Sequence, residues 1–194
     1  PEGMTKINSI NNCIALEEVV FPLTATAFPK SEKHPTLKKA FAKQVENADG
    51  TITGITAVSD YAFKNVTTLE YFGMQLNYLT YVGGNSFLNC AIKEVNIEGP
   101  FTGMGGAAFS GCTSLTTVRF INTSSEIVSC GKQAFANCTA LTSVVMDKFS
   151  IGECAFEKIN ATTNNNKTNN LLVFFIINLL LFSFEYMFTI LFYI

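Results

Sequence analysis

Apolar and polar positions recur in a fixed order through the middle of the chain. Each unit begins with an apolar residue and a Gly or Ser, reaches a phenylalanine four residues after that Gly or Ser, and then alternates apolar and polar residues. The phenylalanines lie 24, 22, 26 and 21 residues apart, at Phe63, Phe87, Phe109, Phe135 and Phe156. Because a period of roughly 20 to 50 residues is typical of stacked repeats, the pattern predicts a solenoid.

The two halves of the unit predict different local structures. In the back half, Val118 and Phe120 stand two residues apart, as do Val144 and Met146, which is the period of a short strand with one buried face. The front half lacks this alternation, so it predicts a turn that leads into a short helical or 3-10 segment and places Phe in the interior. One unit cannot bury its apolar face alone, so stacked copies should form a parallel sheet and stabilise one another.

These residues carry a resemblance to a known family. The segments IGECAF, residues 151–156, and AFANCTALTSV, residues 134–144, resemble the BspA-like leucine-rich repeat of surface antigens and adhesins from bacteria and parasitic protists. The resemblance covers residues 58–156 densely and residues 4–22 as one degenerate unit. It implies an α/β repeat, a curved right-handed leucine-rich-repeat solenoid with a parallel strand ladder on one face and short helical or 3-10 segments on the opposite side. It also implies attachment to proteins of a host or a neighbouring cell.

Composition divides the chain into five segments. Residues 1–22 hold a degenerate N-terminal repeat, 23–57 an irregular insertion, 58–159 the clear repeats, 160–170 a polar low-complexity stretch, and 171–194 an apolar tail. In the insertion, Leu37, Phe41 and Val45 recur every four residues after Pro35, which predicts one short amphipathic helix against the solenoid. The polar stretch is expected to be a disordered linker, since it cannot bury enough apolar area to offset its ordering entropy.

The C-terminal segment is long enough to cross a bilayer as a hydrophobic helix. Its 24 residues, of which only Glu185 is charged, would span about 36 Å as a helix, against a hydrocarbon core of about 30 Å. Three interpretations stay open: a transmembrane helix, a lipid-anchor signal in which residues 160–162 are the small residues before a polar spacer, and an out-of-frame gene end. We expect membrane attachment through this tail.

Charge and composition exclude several classes of function. Thirteen Lys and Arg stand against fifteen Asp and Glu for a net charge of −2, and Arg119 is the only arginine, so the basic surface of a nucleic-acid-binding protein is missing. One histidine, His34, and three aspartates leave little material for acid–base or metal chemistry. We therefore expect no enzymatic activity and no cofactor.

The six cysteines follow the repeat and form no metal-binding motif. Four of them share one repeat position, three residues after the Phe position: Cys13, Cys90, Cys112 and Cys138. A buried free cysteine behaves as a small hydrophobe and no C-x-x-C pair is present, so these thiols are expected to be free and interior. Disulfides between coils stay open, because an extracellular setting would permit them. A Cys–His nucleophile is disfavoured, since His34 lies in the lysine-rich segment KSEKHPTLKK, which suggests exposure.

Residues that flank the inward Val of each strand should point out of the sheet and line one face. The side chains expected there suit a protein partner: Glu18, Tyr71, Glu94, Asn96, Thr117, Arg119 and Ser143. Tyr and Arg are enriched at binding hot spots, which favours Tyr71 and Arg119. The same residues are also compatible with an ordinary solvated strand face.

Sequons and tail together favour a cell-surface location. The five N-x-S/T sequons are candidate glycosylation sites, although an Asn- and Thr-rich chain also forms them by chance: Asn65, Asn122, Asn137, Asn160 and Asn166. The first hypothesis is a membrane-attached surface protein that binds a host, neighbouring-cell or matrix protein through its strand ladder. The second is an intracellular leucine-rich-repeat scaffold without membrane attachment.

Overall fold

Successive coils of the chain add short strands to two separate ladders. The computed structural model describes residues 9–153 and 155–157, which fall within one compact unit, Pro1–Ile159. With strands numbered in chain order, the first ladder holds β1 (Glu18–Phe21), β2 (Lys39–Ala42), β6 (Tyr71–Met74), β8 (Glu94–Gly99), β10 (Thr117–Asn122) and β12 (Ser143–Asp147). The second ladder holds β5 (Ala57–Val58), β7 (Tyr81–Val82), β9 (Gly103–Met104), β11 (Val128–Cys130) and β13 (Phe149–Ile151).

Both ladders are parallel, and the first one has a break in its middle. β1, β2 and β6 pair side by side, as do β8, β10 and β12, while the described residues show no strand pairing between β6 and β8. A turn hydrogen bond still joins the two sets, from the Lys93 N–H to the Glu70 carbonyl at 3.4 Å. The second ladder is continuous from β5 to β13. The six strands of the first ladder mark six coils of a parallel solenoid.

The repeat phenylalanines form a continuous stack inside the solenoid. Ring centroids are 5.5, 4.9, 5.4 and 5.2 Å apart along the series Phe63, Phe87, Phe109, Phe135 and Phe156, and no pair of rings is tilted by more than 15°. Phe109 and Phe135 are 1% and 0% exposed, so their predicted interior position is confirmed. Because stacked aromatic pairs add to the free energy of the area they bury, this column contributes directly to the packing between neighbouring coils.

Each Phe lies in a turn whose backbone requires two left-handed residues. The residues two before and two after Phe have positive φ in four coils: Tyr61 and Asn65, Asn85 and Asn89, Ala107 and Gly111, Gln133 and Asn137. Asn and Gly adopt this region at the lowest cost, which explains why one of them stands two residues after Phe in all four coils. The turns also bond to one another: the Phe87 N–H donates to the Ala108 carbonyl at 2.8 Å.

The glycine that opens each unit lets neighbouring coils touch. A Cβ at Gly105 would overlap the backbone of Gly83 and Gly84 in the preceding coil. Gly131 and Gly152 meet the same restriction against the coils before them. The Gly of the repeat pattern is therefore a requirement of close packing between coils.

The amphipathic helix predicted within residues 23–57 is wrong. Residues Lys39–Ala42 form β2, which pairs with β1 on one side and β6 on the other. Leu37, Ala40 and Ala42 take the inward positions and are fully buried. A strand here satisfies the facing backbone edges of both neighbours, which a helix would leave unpaired. The segment therefore contains a regular coil of the solenoid.

The irregular part of this segment is a β-hairpin. β3 (Gln44–Glu46) pairs antiparallel with β4 (Ile52–Gly54). Gln44 is 1% exposed, and its Nε2 donates to the carbonyls of Ile55 and Tyr78 at 2.7 and 2.8 Å. These two hydrogen bonds connect the base of the hairpin to the neighbouring segments that contain Ile55 and Tyr78.

The expected helical or 3-10 segments are absent from the described residues, which hold only strands, turns and irregular backbone. The reason is the left-handed residues of each turn, which interrupt any helical run. Within the same residues no helix is long and apolar enough to span a membrane. The predicted linker and the apolar tail, residues 160–194, lie outside the described part of the chain.

Candidate protein-binding face

The outward side of the first ladder carries all seven residues predicted to face a partner. Six of them are exposed and Thr117 is partly exposed. In-register pairing aligns equal positions of successive coils in rows across the strands. By repeat position, the first row runs through Glu18, Lys39 and Tyr71 and then, across the break, through Glu94, Thr117 and Ser143; the second runs through Val20, Phe41 and Gly73 and then through Asn96, Arg119 and Val145. We call these two rows the ladder face; a binding role for the seven residues stays a prediction.

Lys39 and Phe41 also belong to the ladder face, although the sequence pattern did not reveal them. The signal is present in LKKAFA, residues 37–42, which has the repeat spacing of one Leu followed by two inward apolar positions. Alanine fills both inward positions, where the other coils carry larger apolar residues. Since alanine does not mark a strand by its propensity, the match is easily overlooked.

Ion pairs fix the charged side chains along the edge of the ladder face. Lys39 Nζ lies 2.6 Å from Glu18 Oε1, and Lys93 Nζ lies 2.6 Å from Glu70 Oε2. The hydrogen bond to Glu18 raises the pKa of Lys39, and the hydrogen bond from Lys93 lowers the pKa of Glu70. All four groups are exposed, so these pairs contribute little to stability and mainly hold the side chains in position.

Exposed apolar side chains cross the first three strands of the ladder face. Val20 is 57% exposed and aligns with the partly exposed Phe41, which aligns in turn with Gly73. The Tyr71 ring, on a residue that is 43% exposed, reaches over Gly73, where a Cβ would overlap its hydroxyl end. We call Val20, Phe41 and Tyr71 the apolar strip. Contiguous apolar surface bordered by charged groups is typical of protein contact sites.

The remaining strands of the ladder face are polar apart from Val145, which is partly exposed. Arg119 donates to Asn96 Oδ1 at 3.0 Å and lies 3.7 Å from Glu98 Oε2. Its guanidinium is therefore held against β8 and has fewer free donors than the sequence suggests. The Glu94 carboxylate makes no ion pair or hydrogen bond within the part of the chain that the structure describes.

Three of the four cysteines at the shared repeat position form a buried column. Cys90, Cys112 and Cys138 are at most 2% exposed, and each thiol donates at 3.1 Å to the carbonyl of the Phe one coil earlier. Burial raises the pKa of Cys90 and Cys138 to about 12 and raises that of Cys112 as well. The prediction of free, interior thiols is confirmed for these three. Among the described residues Cys130 is likewise free and buried.

The predicted burial of Cys13 is wrong, since its side chain is exposed. Cys13 belongs to the first coil, and among the described residues no earlier coil packs against it. The neighbouring loop is open as well: Ile14 is 69% exposed. The repeat position alone therefore does not determine burial at the end of a stack.

His34 occupies the cysteine position of the second coil. It is 2% exposed, so the exposed environment expected from its lysine-rich segment is wrong. Its Nδ1 accepts the Leu37 N–H at 3.1 Å, whereas in the next coil the corresponding N–H of Leu69 bonds the Val66 carbonyl. Nε2 is buried without a partner. Because the His34 side chain bonds only backbone N–H groups, no cysteine of the described residues forms a pair with it.

The candidate glycosylation sites differ in accessibility. Asn65 is partly exposed and Asn137 is exposed, both in Phe turns. Asn122 is 1% exposed; its Oδ1 accepts the Phe101 N–H at 3.1 Å and its Nδ2 donates to the Glu126 carbonyl at 2.7 Å. Its folded position therefore does not suit a glycan. Asn160 and Asn166 lie outside the described residues.

A family model for the BspA type leucine rich repeat region matches residues 37–163 in six copies. The chain belongs to this family. The match to the BspA-type repeats begins at Leu37, which agrees with the assignment of β2 to a regular coil. Membership in a leucine-rich-repeat family points to a protein-binding role.

Other comparisons add little to this assignment. A solved leucine-rich repeat protein from Bacteroides ovatus matches at 19% sequence identity and a TM-score of 0.40, over 75% of this chain and 47% of that chain. This chain thus spans less than half of the length of that protein. Comparison with curated proteins gives no match.

Proposed function

We propose that the chain is a cell-surface module that binds a protein of a host, a neighbouring cell or the matrix through the ladder face. The observation that supports this proposal is the register within the two three-stranded parts of the first ladder, which sets exposed aromatic, aliphatic and charged side chains side by side. Because the strands are fixed by the solenoid, the surface is preorganised and loses little entropy on binding. Its mixed composition is that of non-obligate protein interfaces.

The proposed role is binding without catalysis. The reactive form of a cysteine is the thiolate, and burial raises the pKa of Cys90, Cys112 and Cys138, so these thiols stay protonated and unreactive. Within the described residues no group of three or more His, Cys, Asp and Glu side chains is placed to hold a metal ion.

Variants of the ladder face test its binding role. Beads coated with the full chain would be measured against a panel of immobilised matrix and cell-surface proteins. We expect a positive interaction to weaken by about tenfold or more in a Tyr71→Ala, Arg119→Ala double variant. Tyr81→Ala is the matched control, because Tyr81 is 36% exposed on the second ladder. Binding that survives the double variant and fails in the control would place the interface elsewhere.

Removal of the apolar tail tests membrane attachment. The chain would be expressed with and without residues 163–194, followed by cell fractionation. We expect the full chain in the membrane fraction and the shortened chain in the soluble or secreted fraction, because the tail carries a single charge, Glu185. Equal solubility and equal secretion of both forms would remove the main support for a surface location.

An intracellular scaffold is the second candidate. The five described cysteines are all free thiols, which fits a reducing compartment. Protease added to intact cells separates the two candidates: a surface protein loses its repeats, and an intracellular scaffold keeps them.

A further inference from the structure

The apolar strip and the adjacent Glu94 carboxylate define the chemistry of one ligand. We propose that they bind a segment of a partner protein in which an arginine stands two or three residues from an aliphatic or aromatic side chain. This inference rests on the proposed function of the ladder face and adds the kind of partner that the face recognises.

Glu94 offers an unpaired negative charge next to the strip. It follows Tyr71 in the first row of the ladder face, across the break between β6 and β8, where the Lys93 N–H donates to the Glu70 carbonyl at 3.4 Å. The other carboxylates of these coils are engaged: Glu18 with Lys39, Glu70 with Lys93 and Glu98 with Arg119. In the described part of the chain Glu94 has no such partner, so an incoming cation meets no internal competitor.

The Tyr71 ring provides the second half of a cation site. Its hydroxyl end reaches over Gly73, so the ring extends along its own strand and remains accessible at 43% exposure. The hydrogen bond of 3.4 Å from the Lys93 N–H to the Glu70 carbonyl brings β8 beside β6 at this end, so a single guanidinium can contact the ring and the Glu94 carboxylate together. Arginine suits this arrangement better than lysine, because its planar group stacks on an aromatic ring while donating two N–H groups to one carboxylate.

The other two residues of the apolar strip set the distance between the arginine of the partner and its apolar side chain. Phe41 lies one strand beyond Tyr71 and Val20 two strands beyond it, on the side away from Glu94. An apolar side chain of the partner seated there is about 5 to 10 Å from the guanidinium, which an extended segment covers in two or three residues. The partner segment therefore crosses the strands of the ladder face.

Selection from a library of random peptides tests this chemistry. The peptides would be displayed on phage and selected on the immobilised full chain. We expect enriched peptides to carry an arginine two or three positions from an aliphatic or aromatic residue. A synthetic copy of the strongest peptide should lose about tenfold affinity or more toward Glu94→Gln and toward Tyr71→Ala.

Two matched controls keep this result specific. Glu98→Gln removes a carboxylate that Arg119 already engages. Tyr81→Ala removes a tyrosine of similar exposure, 36% against 43% for Tyr71, whose ring lies against Gly103 on the second ladder. Both should change the affinity by less than about twofold. Charge reversal gives a positive control: Glu94→Arg should abolish binding of the selected peptide and restore binding of a copy in which its arginine is glutamate.

Each remaining outcome counts against a stated part of the inference. Enriched peptides without arginine, or an arginine-to-lysine copy that binds equally well, would overturn the arginine chemistry. Peptides that respond to Arg119→Ala and Ser143→Ala but not to the strip variants would overturn the location and leave the proposed function intact. No enrichment over an uncoated surface would overturn the inference as well, and the protein panel described above would then decide the proposed function independently.

Discussion

At the residue scale, each repeat phenylalanine is held by its immediate sequence neighbours. Around Phe109, Ala108 is fully buried and Cys112 donates its thiol to the carbonyl of Phe87 in the preceding coil. Small side chains at these positions let the next coil approach, and the large ring also packs against Phe120 of β10. The same residue types therefore recur from coil to coil because packing and the backbone geometry of the turn require them.

Truncation of a stacked phenylalanine should destabilise the chain strongly. Phe109→Ala or Phe135→Ala removes a fully buried ring that stacks on a neighbour on each side. We expect a loss of about 3 to 5 kcal/mol in the free energy of unfolding, measured by urea denaturation. Tyr61→Phe, at an exposed turn position, is the control. A change below about 1 kcal/mol in both Ala variants would contradict the stack.

The buried thiols should make the fold sensitive to alkaline pH. Burial raises the pKa of Cys90 and Cys138 to about 12, whereas an unfolded thiol ionises near pH 8.5. The contribution to stability is complete below that pH and declines as the pH rises toward the folded-state pKa, since only the unfolded state loses the proton there. Urea midpoints measured at pH 7 to pH 10.5 should therefore fall.

Valine in the thiol column provides the control for this pH dependence. Val66 already fills the same repeat position in the third coil and is fully buried. A variant with Cys90→Val, Cys112→Val and Cys138→Val should show a shallower fall of the midpoint with pH than the unmodified chain. Identical slopes would assign the alkaline loss to other groups.

At the element scale, β2 shows how a coil keeps its fold when its residues change. Ser31 takes the backbone place of the Phe residue, His34 that of Cys, and alanine fills both inward strand positions. Phe28 compensates for the missing ring: its centroid lies 5.5 Å from that of Phe63. The hydrogen bonds of the ladder and one relocated ring are sufficient to preserve the coil.

Proline in the middle of β2 tests the pairing of this strand within the first ladder. β2 is flanked by strands on both sides, so Phe41→Pro removes an N–H that the ladder requires and should cost about 1 to 3 kcal/mol. Ala48→Pro is the control: Ala48 is the second residue of the hairpin turn closed by the Gly50 N–H to Asn47 carbonyl bond, a position that favours proline. Equal urea midpoints for both variants would contradict the pairing of β2.

The sequence predicts the coils in which each position carries its usual residue type. Val95, Val118 and Val144 mark β8, β10 and β12 by their period of two, and the Phe spacing sets the repeat. The second ladder gives no such signal, because strands as short as Gly103–Met104 contain no full period. On the ladder face the outward positions follow from strand periodicity, but the link between Arg119 and Asn96 depends on tertiary register.

At the scale of the whole molecule, contacts run mainly between neighbouring coils. Stability of such a chain is close to a sum of coil and interface contributions, so it need not unfold in one step. β1 has a paired strand on one side within the described residues, while β10 has one on each side. The break between β6 and β8 further weakens the connection between the two sets of strands in the first ladder.

Native-state hydrogen exchange should therefore reveal graded protection along the solenoid. We expect amides of β1 and β2 to exchange faster than those of β10, because opening of the first coils breaks fewer interfaces. Mass spectrometry of peptic fragments measures this directly, with the exposed turn of the hairpin as an unprotected reference. Equal protection of all six strands would mean that the solenoid opens as a single cooperative unit.

Differences in coil length are concentrated at one corner of the solenoid. The segments from the second ladder to the first are nearly constant: residues 59–70, 83–93, 105–116 and 131–142. The return segments vary: residues 75–80, 100–102 and 123–127 and the single residue Lys148, and one return carries the hairpin of β3 and β4. Foreign loops grafted at this corner should leave the alignment of the stacked phenylalanine rings unchanged. The BspA-type coil is therefore a scaffold that can acquire new surface without redesign of its interior.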